Sequence, residues 1–245
     1  MTFLEHLEEL RVRLIRCLAA LVVTTIACWQ FRLEIFHFLT QPLRDAYPAG
    51  IKFMFTAPTE GFMLNMKMAF FLGIFAAAPF LLYQVWSFIA PGLYANERIW
   101  AIPFIGFGSI FFLLGAAFGH FYLFPSTFEF LGQFANADIE YRPKVDEYFS
   151  FYSWFLLGLG LVFQLPVVIF VLSRIGLVTP GFLIRNFKYA VLATFVVSAI
   201  ITPGGDMMTQ TLLAGPMLAL YLLGVTIAWL FGKPRRPESQ AISKD

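Results

Sequence analysis

Long apolar runs separated by short polar segments dominate the pattern of this chain. Six such runs can be drawn, at about 14–31, 66–89, 99–124, 151–172, 187–201 and 212–231. The first four are long enough for a helix to cross a bilayer, which takes about 20 residues. The fifth would reach only about 22 Å as a helix, so it must thin the bilayer or be shielded from lipid. The pattern predicts an all-α polytopic membrane protein with six transmembrane helices, the last two short.

The composition supports insertion into a membrane. Of 245 residues, 59% are hydrophobic and 13% are charged, which is more apolar surface than a soluble domain could bury. The net charge of +2 is too small to suggest binding to nucleic acid. Positions 1–10 are acidic and lack a small-residue cleavage site, so we expect no cleavable signal peptide. Residues 1–232 are predicted to form one transmembrane domain, and 233–245 a flexible cytoplasmic tail.

Lys and Arg are divided unequally between the two sides of this predicted topology, with eleven on the side of the termini and six on the other. The positive-inside rule therefore places both termini in the cytoplasm. The two long connections, 32–65 and 125–150, are then external. Their prolines and glycines are mixed with aromatic residues, a composition that predicts compact, partly helical loops rather than disordered linkers.

Acidic residues occur at two places on the predicted cytoplasmic side. Glu9 follows Glu5 and Glu8 just before the first apolar run. Glu97 follows Asn96, a good helix N-cap, in the hairpin between the second and third runs. Each has a structural interpretation, as a solvated helix entrance or as an acid that complements a helix dipole by about 0.3–1 kcal/mol. If both lie on one face of the membrane, these acids would form an acidic binding site for a cationic partner.

Polar residues inside the apolar runs offer little catalytic chemistry. Ser109 and His120 would lie about 16 Å apart along one helix, too far for a nucleophile and its base. The scattered His and Cys residues lack metal-ligand spacing, so we predict no metal. We also expect no cofactor and no enzymatic activity. Gln164, two residues before Pro166, is a mid-membrane amide that must face protein or water. An interhelical hydrogen bond or a contact with a partner helix would satisfy it.

Four motifs in order along the chain carry a resemblance to a known family. They are His6-Leu7-Glu8-Glu9-Leu10-Arg11-Val12-Arg13, Tyr83-Gln84-Val85-Trp86-Ser87-Phe88-Ile89-Ala90-Pro91-Gly92-Leu93-Tyr94 with Glu97-Arg98, Phe163-Gln164-Leu165-Pro166-Val167, and Thr202-Pro203-Gly204-Gly205-Asp206. With them the chain resembles TatC, the core receptor subunit of the twin-arginine protein translocase, over nearly its whole length. The resemblance implies a non-enzymatic receptor and assembly platform in the bacterial inner membrane, concave overall.

The same resemblance implies partners. They are the paired-arginine signal peptides of folded cargo proteins, single-span proteins of the TatA and TatB type, and further copies of the chain in a larger complex. In the family, carboxylates at the positions of Glu9 and Glu97 face the arginine pair, and an aromatic at the position of Phe88 lies beside them. Carboxylates on separate elements can hold two guanidinium groups through charge-assisted hydrogen bonds. The residues assigned to signal-peptide binding are Glu9, Glu97, Phe88, Arg11, Leu93 and Tyr94.

Gln164 marks a departure from the family, which commonly has a glutamate at this position. An amide keeps the polarity and hydrogen bonding of a carboxyl group but carries no charge, so contact with a partner helix is the role that remains open to it.

A further group of residues is assigned a structural role at external turns. This group is Pro42, Asp146, Pro203, Asp206 and Gln210.

Two other functions are consistent with a polytopic protein. A secondary transporter of a small solute is the alternative, and it would show saturable flux in vesicles without partner proteins. Transporters usually have ionisable groups or broken helices at the midplane, which are nearly absent from these runs. An intramembrane protease is the third interpretation, and it would react with a serine probe at Ser109.

Overall fold

Helices make up nearly all of the residues that the computed structural model describes, which are 3–46, 53–89, 101–133, 143–202 and 207–232. The helices are α1 (Phe3–Trp29), α2 (Arg32–Ala46), α3 (Glu60–Ile89), α4 (Ala101–Phe118), a π-helical turn (Gly119–Leu123), α5 (Phe124–Gly132), α6 (Val145–Val162), α7 (Leu165–Ile175), α8 (Pro180–Arg185), α9 (Phe187–Ile201) and α10 (Met207–Phe231). Within these ranges there is no extended strand, only an isolated parallel bridge between Met54 and Lys144. The predicted all-α class is confirmed.

Five helical segments of the described chain are long and apolar enough to cross a membrane. They are Leu4–Trp29, Glu60–Phe88, Ile105–Leu131, Val145–Ile175 and Met207–Phe231. α9 is shorter, with 15 residues, as its apolar run predicts. Because α9 falls below the length of the other five, the number of six crossing helices stays a prediction.

The last helix is not short, and that part of the sequence-based expectation is wrong. α10 has 25 residues, so its length is about 37 Å. The apolar run begins only at 212, whereas the helix begins at Met207 and includes the polar residues Thr209 and Gln210. A helix needs no apolar side chain in its first turn, so hydropathy underestimated its length.

The chain divides into two compact units, Met1–Leu161 and Val162–Asp245. The predicted tail at 233–245 lies outside the described residues, and a single domain over 1–232 stays a prediction.

In the first unit, α1 and α3 form an antiparallel pair. His6 stacks on Phe88 at one end, and Trp29 meets Phe62 edge to face at the other. Between the ends the helices approach closely at Gly73, where an added Cβ would lie 2.9 Å from Oγ1 of Thr25. A glycine at such a crossing lets the backbones come together. The α1–α3 pair therefore has an aromatic contact at each end and a close backbone crossing between them.

At the Trp29 end of the pair lies a cluster that we call the aromatic cap, formed by Phe124, Phe128, Tyr148 and Tyr152. Phe124 is 0% exposed, and its ring centroid lies 4.8 Å from those of both Phe128 and Tyr152. The Tyr148 hydroxyl donates to the carbonyl of Leu39 over 2.8 Å, which ties α2 to α6. The first long connection therefore contains a helix anchored to the core, in agreement with the predicted compact loops.

The second unit is built around α10, which packs against α7, α8 and α9. An added Cβ at Gly224 would meet the Ile169 side chain at 2.4 Å, so glycine permits close packing of α10 on α7. α7 ends at Gly176, whose φ of 83° lies in the left-handed region that favours glycine. The hydroxyl of Thr179 then accepts from Phe182 N–H and caps α8. These caps keep the turn between α7 and α9 short.

Candidate functional site

Charged and aromatic side chains meet where the N-terminal part of α1 faces the C-terminal part of α3. We call this group the Glu9 cluster, and it consists of His6, Glu9, Arg13, Gln84 and Phe88. On α1 the three members follow helical spacing of three and four residues, and on α3 the two members are four apart. Residues at these spacings share one face of a helix. The antiparallel pairing of α1 and α3 brings the two faces together.

Glu9 and Arg13 form the centre of the cluster. Nε of Arg13 donates to Oε1 of Glu9 over 3.0 Å, and Nη2 donates to the same oxygen. Nη1 of Arg13 donates to Oε1 of Gln84 over 3.3 Å. The Arg13 and Glu9 side chains are 18% and 21% exposed. A single guanidinium thus links two helices that are far apart in the sequence.

The second carboxylate oxygen of Glu9 has a different environment. Within the described part of the chain, Oε2 is buried and accepts no hydrogen bond. Nδ1 of His6 lies 3.9 Å from this oxygen. A carboxylate oxygen can accept two hydrogen bonds, so this oxygen has unused capacity for a donor.

The surroundings of Glu9 suit a cationic ligand. The His6 ring stacks on Phe88 with centroids 4.3 Å apart and planes inclined by 18°. An open groove of about 360 Å³ runs along α1 beside the cluster. The groove is lined by Glu5, Glu8, Glu9, Val12, Arg13 and Arg16. The three acids outnumber the two arginines, so the groove attracts a guanidinium group.

The structure brings together part of the predicted signal-peptide site. Glu9 and Phe88 both belong to the Glu9 cluster, connected through His6. Arg11 is exposed and is not among the residues that line the groove. Glu97, Leu93 and Tyr94 lie outside the described residues, so their place in the site stays a prediction.

Arg13 and Gln84 were not among the residues predicted for the site, although Glu9 and Arg13 have the i,i+4 spacing of a helical ion pair. Arg13 and Gln84 are 71 positions apart, and their hydrogen bond has no local sequence signal. Gln84 is only 4% exposed. A buried amide near a helix end needs a polar partner, and that requirement was the available hint.

Gln164 lies at an interruption between α6 and α7. α6 ends at Val162, and Gln164 precedes α7 with φ −76° and ψ −12°. Its carbonyl accepts from Val168 N–H over 2.9 Å, and the side chain is half-buried. Pro166 is buried in the first turn of α7, where a missing N–H is tolerated. A proline interrupts a helix because it lacks the N–H donor and its ring clashes with the preceding turn.

The residues assigned to external turns are placed differently from the prediction. Pro42 is buried inside α2, Asp146 lies in the first turn of α6, and Gln210 lies in the first turn of α10. Asp146 pairs with Lys67, and an acid in a first helical turn also complements the helix dipole. These three residues therefore lie in helices rather than in turns, and their structural role stays a prediction. Pro203 and Asp206 lie outside the described residues.

Ser109 and His120 have separate partners. Oγ of Ser109 donates to the carbonyl of Ile105 over 2.8 Å, a bond within its own helix. Nδ1 of His120 is hydrogen-bonded to the Tyr152 hydroxyl over 2.6 Å. The two side chains therefore do not form a nucleophile–base pair, which a hydrolase would require.

Comparison with known proteins decides the family. A family model described as Sec-independent protein translocase protein (TatC) matches residues 5–216. The chain belongs to the TatC family. A TatC protein from Koribacter versatilis (strain Ellin345) is 39% identical and aligns with 98% of this chain and 90% of its own length. One from Desulforapulum autotrophicum is 37% identical, covering 99% of this chain and 90% of its own.

Solved TatC structures show the same fold. A crystal structure described as the twin-arginine translocase receptor TatC has 34% sequence identity and a TM-score of 0.79, covering 92% of this chain and 98% of that one. A second, in DDM, gives a TM-score of 0.81 over 94% and 100%. The resemblance inferred from the motifs is confirmed. As a TatC-family member, this chain is a multi-pass membrane protein and a component of the Sec-independent protein translocase, which implies partner proteins.

Proposed function

We propose that this TatC-family chain is the receptor and assembly platform that binds the paired arginines of signal peptides on folded cargo proteins. The observation that carries the proposal is the Glu9 carboxylate, part-buried beside an open groove, with one oxygen that accepts no hydrogen bond from the described residues. A related solved protein is described as a twin-arginine translocase receptor. Both support a binding rather than a catalytic role.

The chemistry of arginine recognition fits the Glu9 cluster. A guanidinium group has five N–H donors in a rigid plane and binds carboxylates through short, charge-assisted hydrogen bonds. Oε2 of Glu9 can accept such a donor. His6, 3.9 Å from this oxygen, stacks on the ring of Phe88. Glu97 lies a short distance after Phe88 in the sequence and supplies the second carboxylate in this proposal. Two carboxylates on different elements would set the spacing of two arginines.

Peptide binding to the purified protein tests this role. A fluorescent twin-arginine peptide should bind wild type, and Glu9→Gln and Glu97→Gln should each weaken binding by about 1.5–3 kcal/mol, the range for a hydrogen bond to a charged group. Glu8→Gln is the matched control, because it removes the same charge from an exposed position in the same groove. Equal binding by wild type and the double Glu9/Glu97 variant would overturn the proposal.

The proposed setting is the bacterial inner membrane with both termini in the cytoplasm. The excess of Lys and Arg on the side of the termini supports this orientation. The Glu9 cluster would then face the compartment in which cargo is made. Reporter fusions at the two termini should be active only with a cytoplasmic reporter, and activity of a periplasmic reporter at either terminus would refute the orientation.

We propose further that the chain recruits single-span partners of the TatA and TatB type at Gln164 and self-associates in the larger complex. A half-buried amide at a helix interruption supports a hydrogen bond to a partner helix. Such bonds in membranes average about 0.6 kcal/mol, enough to orient a partner but not to hold it. Gln164→Leu should reduce partner crosslinking while Gln164→Glu keeps it. Normal crosslinking by the Leu variant would count against this contact.

A further inference from the structure

Arg13 already occupies the carboxylate that the proposed function assigns to the signal peptide. Its Nε and Nη2 both donate to Oε1 of Glu9, while Oε2 accepts no hydrogen bond from the described residues. A cation that arrives from outside therefore meets a carboxylate whose charge is partly neutralised. The intramolecular guanidinium is the same chemical group as the ligand that the site is proposed to bind.

Gln84 gives Arg13 a second acceptor. Its Oε1 accepts from Nη1 of Arg13 over 3.3 Å, and the residue is 4% exposed. If Glu9 turns toward another cation, Arg13 keeps this hydrogen bond instead of being left part-buried with none. An unpaired charge in such a position is unfavourable. Gln84 thereby stabilises the state in which Glu9 is available.

We propose that Arg13 is a built-in competitor for Glu9, and that Gln84 is the acceptor that retains Arg13 when a signal peptide displaces it. The inference rests on the proposed function of Glu9. Glu9 and Arg13 form an i,i+4 pair on one helix, a kind of interaction strong enough to compete with a weak ligand and weak enough to be displaced. A ligand with one cation then binds poorly, whereas one that also gains from a second carboxylate binds tightly.

Three variants test the competition, because each should change the affinity for the peptide in a defined direction. Arg13→Met keeps the apolar stem and removes the guanidinium, so the affinity for a twin-arginine peptide should rise by about two- to fivefold, the range expected for losing a competing ion pair. Gln84→Met removes the second acceptor, holds Arg13 on Glu9 and should lower the affinity. In the Arg13→Met background, Gln84→Met should have no effect, because Gln84 acts through Arg13.

A matched control separates competition from general electrostatics. Arg16 lines the same groove but has no hydrogen bond to Glu9 among the described residues. Arg16→Met removes one positive charge, so it measures how far any such loss raises the affinity for a cationic peptide. The gain from Arg13→Met should exceed the gain from Arg16→Met, and it should persist at high salt, which screens long-range attraction.

Each other outcome overturns the proposal. Weaker peptide binding by Arg13→Met would show that Arg13 assists Glu9, and a gain no larger than that of Arg16→Met would show a charge effect alone. If Gln84→Met still lowers the affinity for the peptide in the Arg13→Met background, Gln84 does not act as the acceptor for Arg13. If Gln84→Met does not fold, Gln84→Asn withdraws the amide oxygen by one carbon and tests the same point. If peptide binding does not depend on Glu9, the proposed function is overturned as well. If binding depends on Glu9 but the Arg13 and Gln84 variants change the affinity in the opposite directions, only this inference is overturned.

Discussion

The two ends of the α1–α3 pair have different surroundings. At one end the Glu9 cluster joins the helices through a guanidinium, a carboxylate and an amide. At the other end the aromatic cap packs Phe124 and Tyr152 with almost no exposed surface. Burial of large aromatic side chains contributes far more to stability than part-exposed ion pairs do. We therefore expect the aromatic cap to hold the first unit together, and the Glu9 cluster to be free to exchange its partners.

This difference suits the proposed receptor role. A site that exchanges one guanidinium for another must not be a main source of stability, because each exchange would then loosen the fold. The close crossing at Gly73 lies between the two ends and keeps the helices in register. Four substitutions, from the largest expected effect to the smallest, test the division of roles.

Truncation in the aromatic cap should have the largest effect. Phe124 is 0% exposed, so Phe124→Ala should lower the free energy of unfolding by about 3–5 kcal/mol through lost contacts and a cavity. The measurement is thermal or denaturant unfolding in detergent. Phe107→Ala is the control from the same apolar segment, since Phe107 is 59% exposed and should tolerate truncation. Equal losses for both variants would show that the cap is not the stabilising end.

A methyl group at the helix crossing should have the next effect. In Gly73→Ala the new Cβ would lie 2.9 Å from Oγ1 of Thr25 and 3.1 Å from its backbone nitrogen, so the helices must separate. Overpacking of this kind costs about 1–3 kcal/mol of unfolding free energy. Gly106→Ala is the control, because nothing lies within 4 Å of its added Cβ. If Gly73→Ala unfolds like wild type, the crossing does not fix the register of the two ends.

Removal of one hydroxyl from the cap should have a smaller effect. Tyr148→Phe leaves the ring in place and loses the hydrogen bond to the carbonyl of Leu39. The expected loss of unfolding free energy is about 1 kcal/mol, the typical net contribution of one hydrogen bond. Tyr122→Phe, at an exposed position, should leave the unfolding transition unchanged. A loss as large as that of Phe124→Ala would mean that hydrogen bonding, not burial, dominates the cap.

Neutralisation of the carboxylate in the Glu9 cluster should have the smallest effect on stability. Glu9→Gln weakens an i,i+4 ion pair, so the free energy of unfolding should change by no more than about 0.5 kcal/mol. The same variant should strongly weaken peptide binding. Parallel unfolding and binding measurements on one preparation check both effects. A large loss of stability would contradict the proposed division between a stabilising end and a binding end.

Much of this architecture is predictable from local sequence. The apolar runs mark the long helices, and the mixed composition of the first long connection indicates the helix α2. Gly115 and Gly119 are four residues apart, a spacing of small residues that indicates close helix packing. An added Cβ at Gly119 would lie 2.8 Å from Cδ1 of Leu159. In the site, motif resemblance identified Glu9 and Phe88. Each of these signals depends on residues that are neighbours along one helix or one run.

Other features carry no such local signal. The hydropathy pattern marks neither the π-helical turn at Gly119–Leu123 nor the start of α10 at Met207. Hydropathy reports the average environment of a run, so it misses a polar first turn and a local change of helical period. Pro42 lies in the connection after the first apolar run and was expected at an external turn, but it is buried within α2.

The sequence by itself determined that this chain forms apolar helices with acids near one predicted membrane face, because hydropathy and charge are properties of the residues in order. Only the tertiary structure decided that Arg13 lies between Glu9 and Gln84, since Arg13 and Gln84 are 71 positions apart and meet through the pairing of α1 with α3. That pairing depends on the shapes of two helix faces, including the gap at Gly73 into which Thr25 fits. Side-chain packing between distant segments decides which charge meets which acceptor.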